Sequence, residues 1–333
     1  MARMPDRGSR AARRLHWHDL KPEGERFLAD VLAGLKQRQK EVPCKYLYDE
    51  RGSGLYESIC QLEEYYIPAT EGSIMGANIE EMARLIGRQV KLIEYGCGNC
   101  KKVRFLLDHL DDAVAYVPID ISREELWRAA GELANGYPGL EILPVCADYT
   151  SRFAVPAASR QSRRTMVYFP GSTIGNFTPA FAGQFLEYLA QVCGPDGGML
   201  VGVDLEKDPA VLHRAYNDSQ GVTAAFNLNL LERINRELGA DFRPEQFEHR
   251  ALYNQPEGRV EMHLVSRQDQ TVHLADTTIQ FATGETIWTE SSYKYSLDGF
   301  EDMVAAAGWR VDRVWTDERK WFGVHYLVTV RSA

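Results

Sequence analysis

Val90-Lys91-Leu92-Ile93 is an apolar run that reads as a buried strand, and it ends in Glu94-Tyr95-Gly96-Cys97-Gly98. The stretch from Lys101 to Leu110 then reads as a helix. Strand, acid, Gly-x-Gly turn and helix constrain the fold more than any other feature of the chain, because a nucleotide-like ligand is seated on a parallel sheet in this way. The glycines permit a tight turn and a close approach of backbone to ligand. Lys101 stands where the dinucleotide fingerprint needs its third glycine. An acid before the first glycine suits a cationic methionine end better than a pyrophosphate. The loop therefore favours S-adenosylmethionine over NAD, with a plain structural turn as the alternative.

The surrounding pattern alternates in the same sense. Strands are expected at 113–119, 141–146, 164–170 and 198–204, with helices at 122–136 and 179–192 between them. This rhythm means a parallel sheet covered on both faces. Upstream, helical periodicity covers 25–41 and 72–87, separated by a polar, aromatic-rich segment from Lys45 to Thr70. Downstream the pattern changes. Residues 208–238 read as long helices, and 250–254, 259–266 and 271–281 as antiparallel strands with a turn at Glu257-Gly258. A helix at 297–307 and strands at 309–315 and 322–331 close the chain. The reading divides the chain into a sheet domain over 70–206 plus 295–333 and a second lobe over 21–69 plus 207–294. Residues 1–20, with Arg3, Arg7, Arg10, Arg13 and Arg14 against Asp6, read as a disordered basic tail.

Composition removes whole classes of function. The 333 residues carry a net charge of −9, which argues against a nucleic-acid surface. No apolar run approaches a membrane span, and the N-terminus lacks the apolar segment of a signal peptide. Six cysteines without a secretory signal point to a reduced, cytoplasmic setting. Cys97-x-x-Cys100 lacks a second pair at ligand spacing and lies in the glycine turn, so no metal is expected. A monomer acting on a small molecule is expected.

Polar residues at strand ends carry the candidate chemistry. Asp120 follows Val117-Pro118-Ile119, where an acid accepts hydrogen bonds from ribose hydroxyls; the alternative is a helix N-cap. Asp148 follows the third strand, placed to take an adenine amine, and Tyr149 to cover the ring; an ordinary loop acid is the competing reading. Tyr168 to Pro179 ends the fourth strand and contains Gly171 and Asn176. Thr173 occupies the place where a nucleophile elbow needs serine, so a serine hydrolase is disfavoured. That segment also opens a helix at Thr178-Pro179, leaving Asn176 free to bind. Tyr216 and Glu290 would not be singled out by spacing.

Several stretches resemble the histidine Nα-methyltransferases of ergothioneine biosynthesis. They include Tyr46-Leu47-Tyr48-Asp49 with Gly52-Ser53-Gly54-Leu55, Glu64-Tyr65-Tyr66, Glu94 to Gly98 and Gly171 to Asn176. Others are Ala215 to Asp218 continuing to Gly221-Val222-Thr223-Ala224-Ala225-Phe226-Asn227, then Arg259 to Met262, and Glu290 to Lys294. The likeness runs from about residue 25 to the C-terminus. It implies an α/β fold, a Rossmann-like methyltransferase sheet with an inserted α+β substrate-binding lobe. It also implies trimethylation of the α-amino group of L-histidine by S-adenosylmethionine, giving hercynine. Asn176 and Tyr216 would hold the substrate carboxylate, with Gly171 on the same loop as Asn176. Glu290 and Ser292 would hold the imidazole with Met262 packed beside it, and Tyr48 and Tyr65 would face the amine. Gly96, Lys102, Asp120, Asp148 and Tyr149 match cofactor positions. Tyr56, Tyr149 and Tyr293 depart from the family pattern, where the first two are Phe and the third is small. Competing readings are an Nα-methyltransferase of tryptophan or tyrosine, a dinucleotide-dependent oxidoreductase, and a non-catalytic ligand sensor.

Overall fold

The computed structural model describes residues 15–20 and 24–330. Its core is a nine-stranded sheet. The order is His18–Asp19, Val145–Cys146, Ala115–Asp120, Val90–Tyr95, Arg164–Phe169, Gly198–Asp204, Phe322–Thr329 and Trp309–Thr316, with Glu141–Ile142 also paired to Ala115–Asp120. The first six in that order run parallel, and Phe322–Thr329 is antiparallel to both of its neighbours, Gly198–Asp204 and Trp309–Thr316. From Val90–Tyr95 the chain moves first to Ala115–Asp120 on one side and later to Arg164–Phe169 on the other. The strand order therefore reverses at the glycine loop, and a crevice opens at the carboxyl ends of these strands.

The inner strands are mainly apolar because both faces are covered. Leu92 packs with Tyr116, Met166 and Tyr168 on the face covered by helices Ile67–Ile86, Lys101–Leu107 and Arg123–Gly136. Its neighbour Ile93 packs with Val117, Val167 and Phe169 on the other face, under helices Pro179–Cys193 and Leu297–Ala306. Successive residues of one strand thus enter opposite cores, as the pleat requires.

A second, four-stranded sheet has the order Lys40–Glu41, Thr286–Tyr293, Arg259–Ser266 and Phe247–Asn254. Helices Pro209–Tyr216 and Val222–Leu238 pack against it. Met262 pairs with Glu290, but His263 pairs with Trp288, so Thr289 is the extra residue of a β-bulge. The Thr289 hydroxyl donates to the Met262 carbonyl (3.0 Å) and fixes the bulge. Past Tyr293 the strand runs into the central sheet, where the Tyr295 N–H donates to the Asp204 carbonyl (3.1 Å).

Four expectations are corrected. The disordered basic tail expected over 1–20 does not hold for 15–20, which run along the sheet edge with His18 and Asp19 paired to Val145 and Cys146; residues 1–14 lie outside the described residues. The strand expected at 141–146 is two pieces separated at Leu143-Pro144, because proline cannot donate to a ladder. The run 271–281 is a hairpin, Gln270–Leu274 and Thr277–Phe281, turning at Ala275 with φ +49°. A helix at Glu50–Ile59, capped by the Asp49 carboxylate accepting from the Gly52 N–H (2.7 Å), stands in the segment read only as polar and aromatic-rich.

Candidate active site

All thirteen residues singled out above line one cavity of about 390 Å³ at the carboxyl ends of the parallel strands. They come from both sheets and from the segments before the first glycine loop. Tyr48 follows the turn Cys44–Leu47, and Tyr65 precedes helix Ile67–Ile86. Asn176 closes the turn Thr173–Asn176. Tyr216 ends helix Pro209–Tyr216, while Met262, Glu290 and Ser292 lie on the two strands that share the bulge.

At the glycine end, Gly96 and Gly98 have φ of +72° and +52°. A Cβ on Gly98 would meet no atom within 4 Å, so that face of the loop is open. The Asp120 carboxylate accepts from the Gly98 N–H (2.8 Å) with one oxygen and the Ser122 N–H (2.8 Å) with the other, which ties the first two strand-end loops together. Burial raises its pKa against those hydrogen bonds. Ser122 is the residue at the N-cap of helix Arg123–Gly136, and its own side chain makes no capping bond. Glu94 differs from its expected form. It is fully buried and hydrogen-bonded to the Tyr116 hydroxyl, and burial pushes its pKa up to about 8. It is therefore largely neutral at pH 7 until a cation arrives.

Asp148 carries a partner that spacing could not show. Lys45, from more than a hundred residues upstream, donates to it at 2.9 Å, and Thr150 donates to its other oxygen. Burial would raise the Asp148 pKa, but the Thr150 bonds and the lysine hold it below the usual range. The Tyr149 hydroxyl would lie 3.4 Å from a Cβ on Gly96, so the ring covers the glycine turn. Lys102 is paired with Glu71 (2.8 Å), whose other oxygen accepts from the Gly171 N–H (2.7 Å). That carboxylate thereby links the first and fourth strand-end loops.

At the other end, Tyr48, Tyr56, Tyr65 and Phe226 form an aromatic wall, with Tyr48 and Tyr56 centroids 5.5 Å apart and Tyr56 and Tyr65 6.5 Å apart. Burial raises the tyrosine pKa values well above 10, so the hydroxyls stay protonated. The Glu290 side chain is 9 % exposed and its Oε2 has no hydrogen-bond partner. Burial pushes its pKa up to about 7, against the attraction of Lys294. An unpaired buried carboxyl oxygen is costly, and Glu290 lines the cavity beside Met262. The Asn176 amide makes no hydrogen bond among the described residues.

Sequence reading missed the ions behind this wall. Lys294 and Asp204 are both fully buried and pair at 2.7 Å. Lys294 also donates to the Tyr216 hydroxyl (3.0 Å) and the Ser292 hydroxyl (2.8 Å), which bond each other at 2.8 Å. Asp204 further accepts from Lys207 (2.6 Å) and the Tyr66 hydroxyl (2.8 Å). These residues come from four separated stretches, and no periodicity joins them.

The cavity fits a cationic, adenosine-bearing ligand. Carboxyls Glu57, Glu94, Asp120, Glu125 and Asp148 line it, while Lys45 and Lys102 are already paired. A reversed strand order, an open glycine loop with acids at the first three strand ends and an adjoining small-molecule cavity define an S-adenosylmethionine-dependent methyltransferase. The profile described as "Histidine-specific methyltransferase, SAM-dependent" matches residues 27–329, and the chain belongs to that family. It is 40% identical over 310 residues to a histidine N-alpha-methyltransferase of Mycolicibacterium smegmatis, covering 91% of this chain and 95% of that protein. A protein of the same name from Mycobacterium tuberculosis is 42% identical over 301 residues, covering 89% and 92%. Ergothioneine biosynthesis protein 1 of Neurospora crassa is 32% identical over 90% of this chain and 34% of its own length.

Proposed function

We propose that the chain transfers methyl groups from S-adenosylmethionine to the α-amino nitrogen of L-histidine, three times in sequence, giving hercynine for ergothioneine synthesis. The observation that carries this reading is the partnerless, buried Glu290 oxygen beside Met262, in the same cavity as the glycine loop. An imidazole N–H is the donor such an acid lacks, and an indole pocket gains less from a group so close to ionisation. Family membership and the printed names of the two mycobacterial relatives support the same substrate. We propose a cytoplasmic monomer; the six cysteines are free thiols, which suits a reducing compartment.

In this reading Gly96, Asp120, Asp148, Tyr149 and Lys102 hold the methyl donor, which supplies an electrophilic methyl on a sulfonium. Asn176 and Tyr216 hold the histidine carboxylate, with Gly171 beside them, and Glu290 and Ser292 grip the imidazole. Tyr48 and Tyr65 orient the amine. Their hydroxyls are far too basic in their ionised form to be present at pH 7, so they direct the lone pair and pass protons to water rather than acting as strong bases. The amine loses its proton because a cation beside it and a dry cavity both disfavour ammonium. Most of the rate then comes from alignment.

The test is mass spectrometry of products after incubation with S-adenosylmethionine and an equimolar mixture of the twenty amino acids. Histidine gaining three methyls, with the others untouched, is expected. Methylation of another amino acid would overturn the imidazole assignment, and no methylation would overturn the reaction.

A further inference from the structure

Behind Tyr216 and Ser292 lies a charge cluster that no step above uses. Asp204, at the end of its central strand, carries one negative charge, and Lys294 and Lys207 both bond it. With both lysines protonated the cluster is net positive by one, and all three side chains are at most 2 % exposed. Lys294 donates to both the Tyr216 and Ser292 oxygens, and those hydroxyls bond each other. The lysine fills an acceptor site on each. Only one of the two hydroxyl protons is used within the pair, and both residues line the cavity, so the other proton is available to a ligand there. The pair therefore offers a donor, with a dry ammonium behind it.

We propose that Lys294 is a positioning residue that acts through Tyr216 and Ser292 to make the enzyme select substrates bearing a free carboxylate. The inference rests on the histidine reading above and deepens it. A charge in a dry site is screened little, so an anion at the Tyr216 hydroxyl feels Lys294 more strongly than a neutral group would. Removing the lysine leaves Asp204 bonded by Lys207 and Tyr66, so the buried acid is not orphaned. Lys294 also favours ionised Glu290, but a loss through the imidazole grip would weaken every histidine derivative alike.

The test compares L-histidine with L-histidinamide, which keeps the amine and imidazole but lacks the charge. Dissociation constants are measured by calorimetry with S-adenosylhomocysteine present, for the wild type and Lys294→Gln. The wild type binds histidine more tightly than the amide. In Lys294→Gln the ratio of the two constants shrinks about tenfold, mostly through weaker histidine binding, while S-adenosylhomocysteine affinity holds. An unchanged ratio, whether both ligands weaken equally or neither does, overturns the proposal. Failure of the wild type to bind histidine would instead overturn the histidine reading. If Lys294→Gln does not fold, Lys294→Met carries the test, because it fills the same buried space with neither charge nor a polar group to satisfy. It shows the same selective loss, and an equal loss for both ligands overturns the proposal.

Discussion

Glu290→Gln separates what the site costs from what it does. The change keeps shape and removes one ionisable group. Glu290 moves from an ordinary 4.5 to about 7 on folding because its burial disfavours the charge. The folded state therefore holds a proton there between roughly pH 4.5 and 7 that the unfolded chain has released, so stability declines as pH rises across that interval. Each pKa unit is about 1.4 kcal/mol, so the ligand-free protein loses about 3 kcal/mol at this one position by pH 8. Urea unfolding of the two proteins from pH 5 to 8.5 measures it. The variant is more stable by about that amount at pH 8, and the difference shrinks to under about 1 kcal/mol at pH 5. Histidine binding moves the opposite way, weakening at least about tenfold, or 1.4 kcal/mol, in Glu290→Gln and in Glu290→Ala. A variant equally stable at pH 8, or one whose advantage does not vary with pH, refutes the argument that the acid is held charged at a cost.

Three further outcomes are expected. Asp120→Asn loosens the tie between Gly98 and Ser122 and weakens S-adenosylhomocysteine binding about tenfold by calorimetry; unchanged binding would place the ribose elsewhere. A Cβ at Gly175 would lie 2.8 Å from the Tyr293 carbonyl, so Gly175→Ala destabilises by about 1–3 kcal/mol in urea unfolding and raises the KM for histidine more than that for S-adenosylmethionine. Because Tyr48 and Tyr65 are held well above 10, a pH–rate profile shows no descending limb up to about pH 9.5, and a fall near pH 9 would mean an ionised tyrosine takes part.

What could be read in the chain was local. Gly96 and Gly98 announce the loop, and the alternation from 90 to 204 lays out the parallel strands within a few residues of where they stand. Asp120 and Asp148 follow from being acids at strand ends. The strand Thr286–Tyr293 was not delimited because the bulge at Thr289 breaks its alternation, and Gly52 and Gly54 blunt the helical pattern of Glu50–Ile59. Glu290 reached the candidate set through resemblance alone; by spacing it is one more acid on an exposed-looking run. Lys45 with Asp148, and Lys294 with Asp204, are pairs of distant residues that only the fold brings together.

The extra residue at Thr289 has a consequence for how such an enzyme changes over time. Side chains alternate along a strand, so the bulge decides that Glu290 and Ser292 share a side with Met262 while Trp288 does not. Deleting one codon there would not trim the pocket; it would exchange its contents, turning residues on one side of the break over as a block. Insertions and deletions at this place are thus shut off as a route to new substrates. Descendants with other preferences must arise by replacing side chains one at a time within a fixed frame.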